Sequence, residues 1–182
     1  GYMLSILLGT EVHAEEGEEE YKHYEVYFGR MPLFILIGVF QAVVASLGAL
    51  HILKVYAVHP VMLVFYTVFV SIVFMVIIYT LTSLFGHGGI VMGIILLVIQ
   101  VAASSANFPI EVNPRMFQVI SPYLPFTYAI NGMRQIMAGI VYSILFKDIA
   151  ILSIYMVIFL VIGITCKSAG NKLIKPFVDK LK

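Results

Sequence analysis

Residues 61–85 read VMLVFYTVFVSIVFMVIIYTLTSLF, and sixteen of these positions are Leu, Ile, Val or Phe. At about −0.3 to −0.6 kcal/mol for each such residue near a helix centre, they favour membrane insertion by about 5–10 kcal/mol as an upper bound. The few hydroxyls present are outweighed. A spanning helix needs about 20 apolar residues, so this stretch reads as a transmembrane helix. The apolar character extends well beyond it: from Val55 to Ile110 there is no Asp, Glu, Lys or Arg. Only Gly86-His87-Gly88-Gly89 divides that run.

Composition agrees. The chain of 182 residues is 61% hydrophobic and 12% charged, with a mean hydropathy of +1.01. A soluble domain carries about 25% charge, so too little polar surface is left for a globule in water. The single cysteine, Cys166, excludes an internal disulfide framework and a multi-cysteine metal site.

Outward from this core, Met31–Leu53 is a further apolar span that contains Gly38, Gln41, Ser46 and Gly48. Small and mildly polar residues of this kind mark helix-facing surfaces. Ile90–Asn107 is a third span, and Ile149–Cys166 is a fourth. Gly1–Gly9 is apolar but too short to cross, and reads as the cytoplasmic end of a truncated transmembrane helix. Residues 10–30 combine an acidic loop with an interfacial helix, aromatic side down, on which Tyr21, Tyr24 and Phe28 recur at helical spacing. Arg30 and Pro32 mark the start of the next span. The transmembrane domain covers 31–166, with spans at about 31–53, 61–85, 90–107 and 149–166, and 167–182 is a basic tail.

Residues 108–147 differ from the spans. They contain Glu111, Arg115, Arg134 and Lys147 together with Pro109, Pro114, Pro122 and Pro125. Prolines at that density break a long helix. Two short amphipathic helices are expected, near Pro114–Ile120 and Phe126–Ile140, forming a re-entrant hairpin at the outer face. The fold class is therefore all-α: a polytopic transmembrane helical bundle with an extracellular re-entrant helical hairpin.

With the tail in the cytoplasm, seven Lys and Arg lie inside (22, 30, 167, 172, 175, 180 and 182) and four outside (54, 115, 134 and 147). The positive-inside rule favours that orientation.

No nucleotide-binding, zinc-protease or serine-hydrolase motif is present. The chain is expected not to be an enzyme and to carry no cofactor or catalytic metal. His13 with Glu15, Glu16, Glu18, Glu19 and Glu20 offers carboxylates for a divalent cation but lacks ordered ligand spacing, and a solvated acidic loop is the plainer reading. His51 and His59 near one membrane face offer a proton-sensing pair, with simple interfacial hydrogen bonding as the alternative. Cys166 beside Lys167 offers a palmitoylation site against an unmodified helix-end cysteine. Glu111 and Arg134 offer an ion pair across the hairpin. The complete spans as drawn contain no charge, which argues against a proton-coupled pump.

Residues 86–139 read GHGGIVMGIILLVIQVAASSANFPIEVNPRMFQVISPYLPFTYAINGMRQIMAG. This stretch, with the upstream Tyr24–Arg30 segment and Gln41, resembles the carboxy-terminal membrane domain of the YhgE/Pip (phage infection protein-like) family, within the ABC type-2 permease-like superfamily. Ser105-Ala106-Asn107 departs from the Gly-Gly-Thr common in that family. The resemblance marks Phe108, Pro109, Glu111, Pro122, Pro125, Tyr128, Asn131, Gly132 and Arg134 as a signature of the hairpin. It also implies an ATPase-coupling helix carrying Tyr21, Tyr24, Phe28 and Arg30.

The resemblance implies a multi-pass protein of the bacterial plasma membrane that works in phage infection or in secretion and export. Two alternatives are a permease that moves lipid-like or amphipathic substrates with a separate ATPase, and an anchor for a missing extracellular domain. The implied partners are membrane lipids, a missing amino-terminal half or sister subunit in a homo- or hetero-dimer, and an ATPase or phage component. Nucleic acid is not among them.

Overall fold

The structure is a computed structural model that describes residues 23–104 and 110–178. Those residues form six α-helices: α1 (His23–His51), α2 (Pro60–Phe85), α3 (His87–Ala103), α4 (Arg115–Ile120), α5 (Pro125–Ala138) and α6 (Tyr142–Val178). Short 3₁₀ turns at Ile110–Val112 and Ser121–Tyr123 precede α4 and α5. Among the described residues there is no β-strand. The fold is an all-α membrane helical bundle.

The stretch at 61–85 is the centre of the bundle. Pro60 occupies the first turn of α2, where its missing N–H costs no hydrogen bond. Gly86 ends the helix with φ 53° and ψ −128°, a conformation open to glycine alone, while its N–H still bonds the Thr82 carbonyl. This reverses the chain directly into α3. α1, α3, α5 and α6 all pack against α2. Of its most apolar window 39% is buried, against 22% for α1 and 17% for α6, so α2 is the core helix and the others are its shell.

Three hydroxyls on α2 reach three different neighbours. Ser71 Oγ donates to the Gly38 carbonyl of α1 at 2.9 Å. Thr80 Oγ1 donates to the Phe159 carbonyl of α6 at 3.2 Å. Tyr66 Oη donates to the Tyr128 carbonyl of α5 at 3.0 Å. Apolar packing fills the space between them, around Val73, Ile77, Ile136 and Leu152. Phe34 and Tyr79 stack at 5.0 Å between α1 and α2.

On α1, Met31, Phe34, Gly38, Ala42 and Ser46 face inward at helical spacing, while Leu33, Leu36, Phe40, Val44 and Leu47 are exposed. Large apolar side chains on an outer surface are what a bilayer solvates. Among the described residues, three helices are long and apolar enough to cross a membrane: Met31–His51, Pro60–Phe85 and Tyr142–Thr165. The fourth apolar helix, Gly88–Ala103, is shorter. The expected third span ran on to Asn107, and residues 105–109 lie outside the described residues.

Two boundaries differ from expectation. No break separates an interfacial helix from the first span, because α1 runs unbroken from His23 through Pro32. A proline removes one helical hydrogen bond, and flanking turns with all of theirs can carry the helix past it. The final helix begins at Tyr142, two turns before the expected Ile149. Gly139, at φ 136°, ends α5, and Val141 N–H is met by the Gln135 side chain at 3.3 Å, so a new helix starts almost at once. α6 then continues through the first part of the basic tail to Val178.

Candidate functional site

Four prolines between residues 109 and 125 withhold backbone donors, so side chains must satisfy carbonyls that a regular helix would. Asn113 Nδ2 donates to the Ala102 carbonyl at the end of α3 (3.1 Å). Gln118 Nε2 donates to the carbonyls of Asn113 (2.8 Å) and Glu111 (3.3 Å). Thr127 Oγ1 donates to the Ser121 carbonyl at 2.8 Å, and Tyr128 Oη to the Pro122 carbonyl at 2.7 Å. The segment is thus a stitched hairpin of two short helices, α4 and α5. The two amphipathic helices expected near Pro114–Ile120 and Phe126–Ile140 correspond to them closely.

Three further elements receive this hairpin. Tyr155 Oη of α6 donates to the Tyr123 carbonyl at 2.7 Å. Phe126 meets Phe74 of α2 edge-on at 5.8 Å. The Val58 N–H, in the α1–α2 connection, donates to the Met137 carbonyl at 3.2 Å, so connection and hairpin share one end of the bundle. At the centre of the junction the Tyr66 ring lies against Gly132, and a Cβ there would collide with the Tyr66 hydroxyl. Only glycine allows α5 to approach α2 so closely.

The signature residues divide between this junction and the surface. Pro125 and Gly132 are buried, Tyr128 and Asn131 half-buried, and Glu111, Pro122 and Arg134 exposed. Phe108 and Pro109 lie outside the described residues, as do Tyr21, His13 and the glutamate block. Tyr24, Phe28 and Arg30 fall on the amino-terminal part of α1. His51 and His59 are both exposed, and the His51 Nδ1 lies 3.1 Å from the Leu47 carbonyl. His51 and Lys54 line an open groove of about 570 Å³ with Leu47, Leu50, Tyr56 and Val64.

One residue at the junction escaped the sequence reading. Asp148, which falls between the expected hairpin and the expected last span, lies inside α6 and is only 3% exposed. The sign was available: Leu145, Asp148 and Leu152 recur at i, i+3 and i+7 along one helical face. Lys147 beside it is exposed, which leaves Asp148 facing inward without it.

Over 116 residues the chain is 30% identical to the uncharacterized protein YhgE of Bacillus subtilis (strain 168), a match that covers 64% of this chain. The chain is similar to YhgE. It spans 15% of that protein's length, so the likeness concerns a small part of YhgE. No family model and no solved structure matches the chain.

Proposed function

We propose that this bundle is the membrane module of a larger YhgE-like protein of the bacterial cell envelope, acting in secretion and export or in phage infection. The observation that carries the reading is the match to YhgE over 64% of this chain, which is only 15% of the relative. The module is read as non-enzymatic, with its carboxy terminus in the cytoplasm and membrane lipids as its surroundings. A further part of the protein, or a sister subunit in a homo- or hetero-dimer, completes it. Deleting the full-length gene is expected to impair protein secretion or phage DNA uptake. A deletion strain with normal phage adsorption, DNA uptake and secretion overturns the reading.

A second reading is a permease of the ABC type-2 kind that moves lipid-like or amphipathic substrates with a separate ATPase. The stitched hairpin between α3 and α6, in a bundle with an apolar outer surface, favours it. Purification of the full-length protein from its native membrane is then expected to recover a nucleotide-binding subunit in stoichiometric amount. If the bundle serves instead as an anchor for an extracellular domain, replacement by an unrelated span leaves function intact.

A further inference from the structure

Among the described residues, Asp148 is the buried side chain whose chemistry the packing leaves unanswered. Its Oδ2 is fully buried and has no hydrogen-bond partner among the described residues. It sits between Leu145 and Leu152, which are 1% and 0% exposed and belong to the same core cluster as Tyr66, Ala129 and Ile136. An isolated carboxylate in such a place is strongly disfavoured, and a neutral carboxylic acid far less so.

The neighbouring groups point to the same state. On α2, the Tyr66 hydroxyl has its only proton committed to the Tyr128 carbonyl, so it can only accept a further hydrogen bond. His59, at the start of α2, is exposed. On α5, Arg134 is exposed and the Tyr128 hydroxyl is donated to Pro122. α1 offers His51, which is exposed with Nδ1 at the Leu47 carbonyl. On α6 itself, Lys147 and Tyr142 are exposed, and the Tyr155 hydroxyl is donated to Tyr123. None of these cations is buried beside the carboxyl. Among the described residues no three His, Cys, Asp or Glu side chains converge to hold a metal ion.

We propose that Asp148 is a proton-binding site within the membrane bundle, neutral while the hairpin is docked and ionised when α5 lifts away from α2 and α6. On lifting, the Tyr66–Tyr128 hydrogen bond opens and water reaches the carboxyl. The acid O–H bond breaks, its electron pair stays on the carboxylate, and the proton passes to water. Redocking takes one proton back. The docked arrangement holds one proton more than the opened one, so acid favours docking and alkali favours opening. Hairpin movement is thereby coupled to proton binding, whatever the cargo of the whole protein.

The test uses the full-length protein reconstituted in phosphatidylethanolamine–phosphatidylglycerol bilayers. Infrared spectroscopy at neutral pH is expected to show a protonated-carboxyl stretch that is lost in Asp148→Asn, a close shape mimic of the neutral acid. Absence of any difference between the two proteins in that band overturns the proposal. Spin labels at the exposed positions 61 on α2 and 138 on α5 report the docking. Their separation is expected to increase as pH rises in the parent protein and to stay constant in Asp148→Asn. A separation that ignores pH in the parent, or changes equally in both, counts against the coupling.

Discussion

Tyr66 Oη donates a 3.0 Å hydrogen bond to the backbone carbonyl of Tyr128, joining the core helix to the proline-broken hairpin. The same ring occupies the space that a side chain at position 132 would need. One tyrosine therefore sets both the depth and the register of α5 against α2.

Gly132→Ala is expected to destabilise the bundle by about 1–3 kcal/mol, the usual range for overpacking a filled site. Tyr66→Phe alone removes one interhelical hydrogen bond and is expected to cost about 0.6 kcal/mol. Because the added Cβ strikes the hydroxyl, the double variant should be less destabilised than the sum of the singles. Equilibrium unfolding in mixed micelles measures all three, and strict additivity would refute the contact.

Ser71→Ala and Thr80→Val each remove a hydroxyl bond from α2 to a different helix. Losses of about 0.6 kcal/mol each are expected, with about 1.7 as the ceiling seen for such bonds in membranes. The two acceptors, the Gly38 and Phe159 carbonyls, lie on different helices, so the effects should add in the same unfolding assay. A coupling well above the experimental error would show that α1 and α6 move together instead.

Leu152→Ala opens a cavity at a fully buried position and is expected to cost about 2–5 kcal/mol. Phe40→Ala trims a side chain that is 69% exposed on α1 and is expected to stay within about 0.5 kcal/mol of the parent. The contrast separates core from lipid-facing surface. Comparable losses at both positions would mean that a further protein surface covers that face of α1.

Gly86→Ala places a Cβ on a residue with φ 53° and ψ −128°. A cost of about 1–3 kcal/mol is expected from the backbone alone. Gly88→Ala, at an exposed site with only a 4.0 Å contact to Phe85, serves as the control and should be nearly neutral. Thermal unfolding of the two variants side by side gives the difference.

Much of this arrangement was legible in the chain. The uncharged run from Val55 to Ile110 required membrane helices, and Gly86-His87-Gly88-Gly89 marked where they divide, a break that the structure narrows to Gly86. Pro114, Pro122 and Pro125 located the two short helices of the hairpin to within a few residues. Prolines and glycines act through local backbone geometry, so their effects can be read without knowing the neighbours. The start of α6 was harder, because Lys147, the last charge of the hairpin segment, resembled a polar boundary. Only burial distinguishes the exposed lysine from the aspartate one position further on.

The uncharged α2 stretch, by itself, determined that this protein lives in a membrane and is built of helices, since about 20 apolar residues in a row have no other stable place. It did not determine which face of each helix meets lipid and which meets protein. Bilayer and bundle interior are almost equally apolar, so Phe40 on the outside and Phe34 on the inside satisfy the same solvation rule. Shape and a handful of hydrogen bonds made that choice. Gly132 beneath Tyr66, the hydroxyls of Ser71 and Thr80, and the buried carboxyl of Asp148 acquire their meaning only once α2 is surrounded.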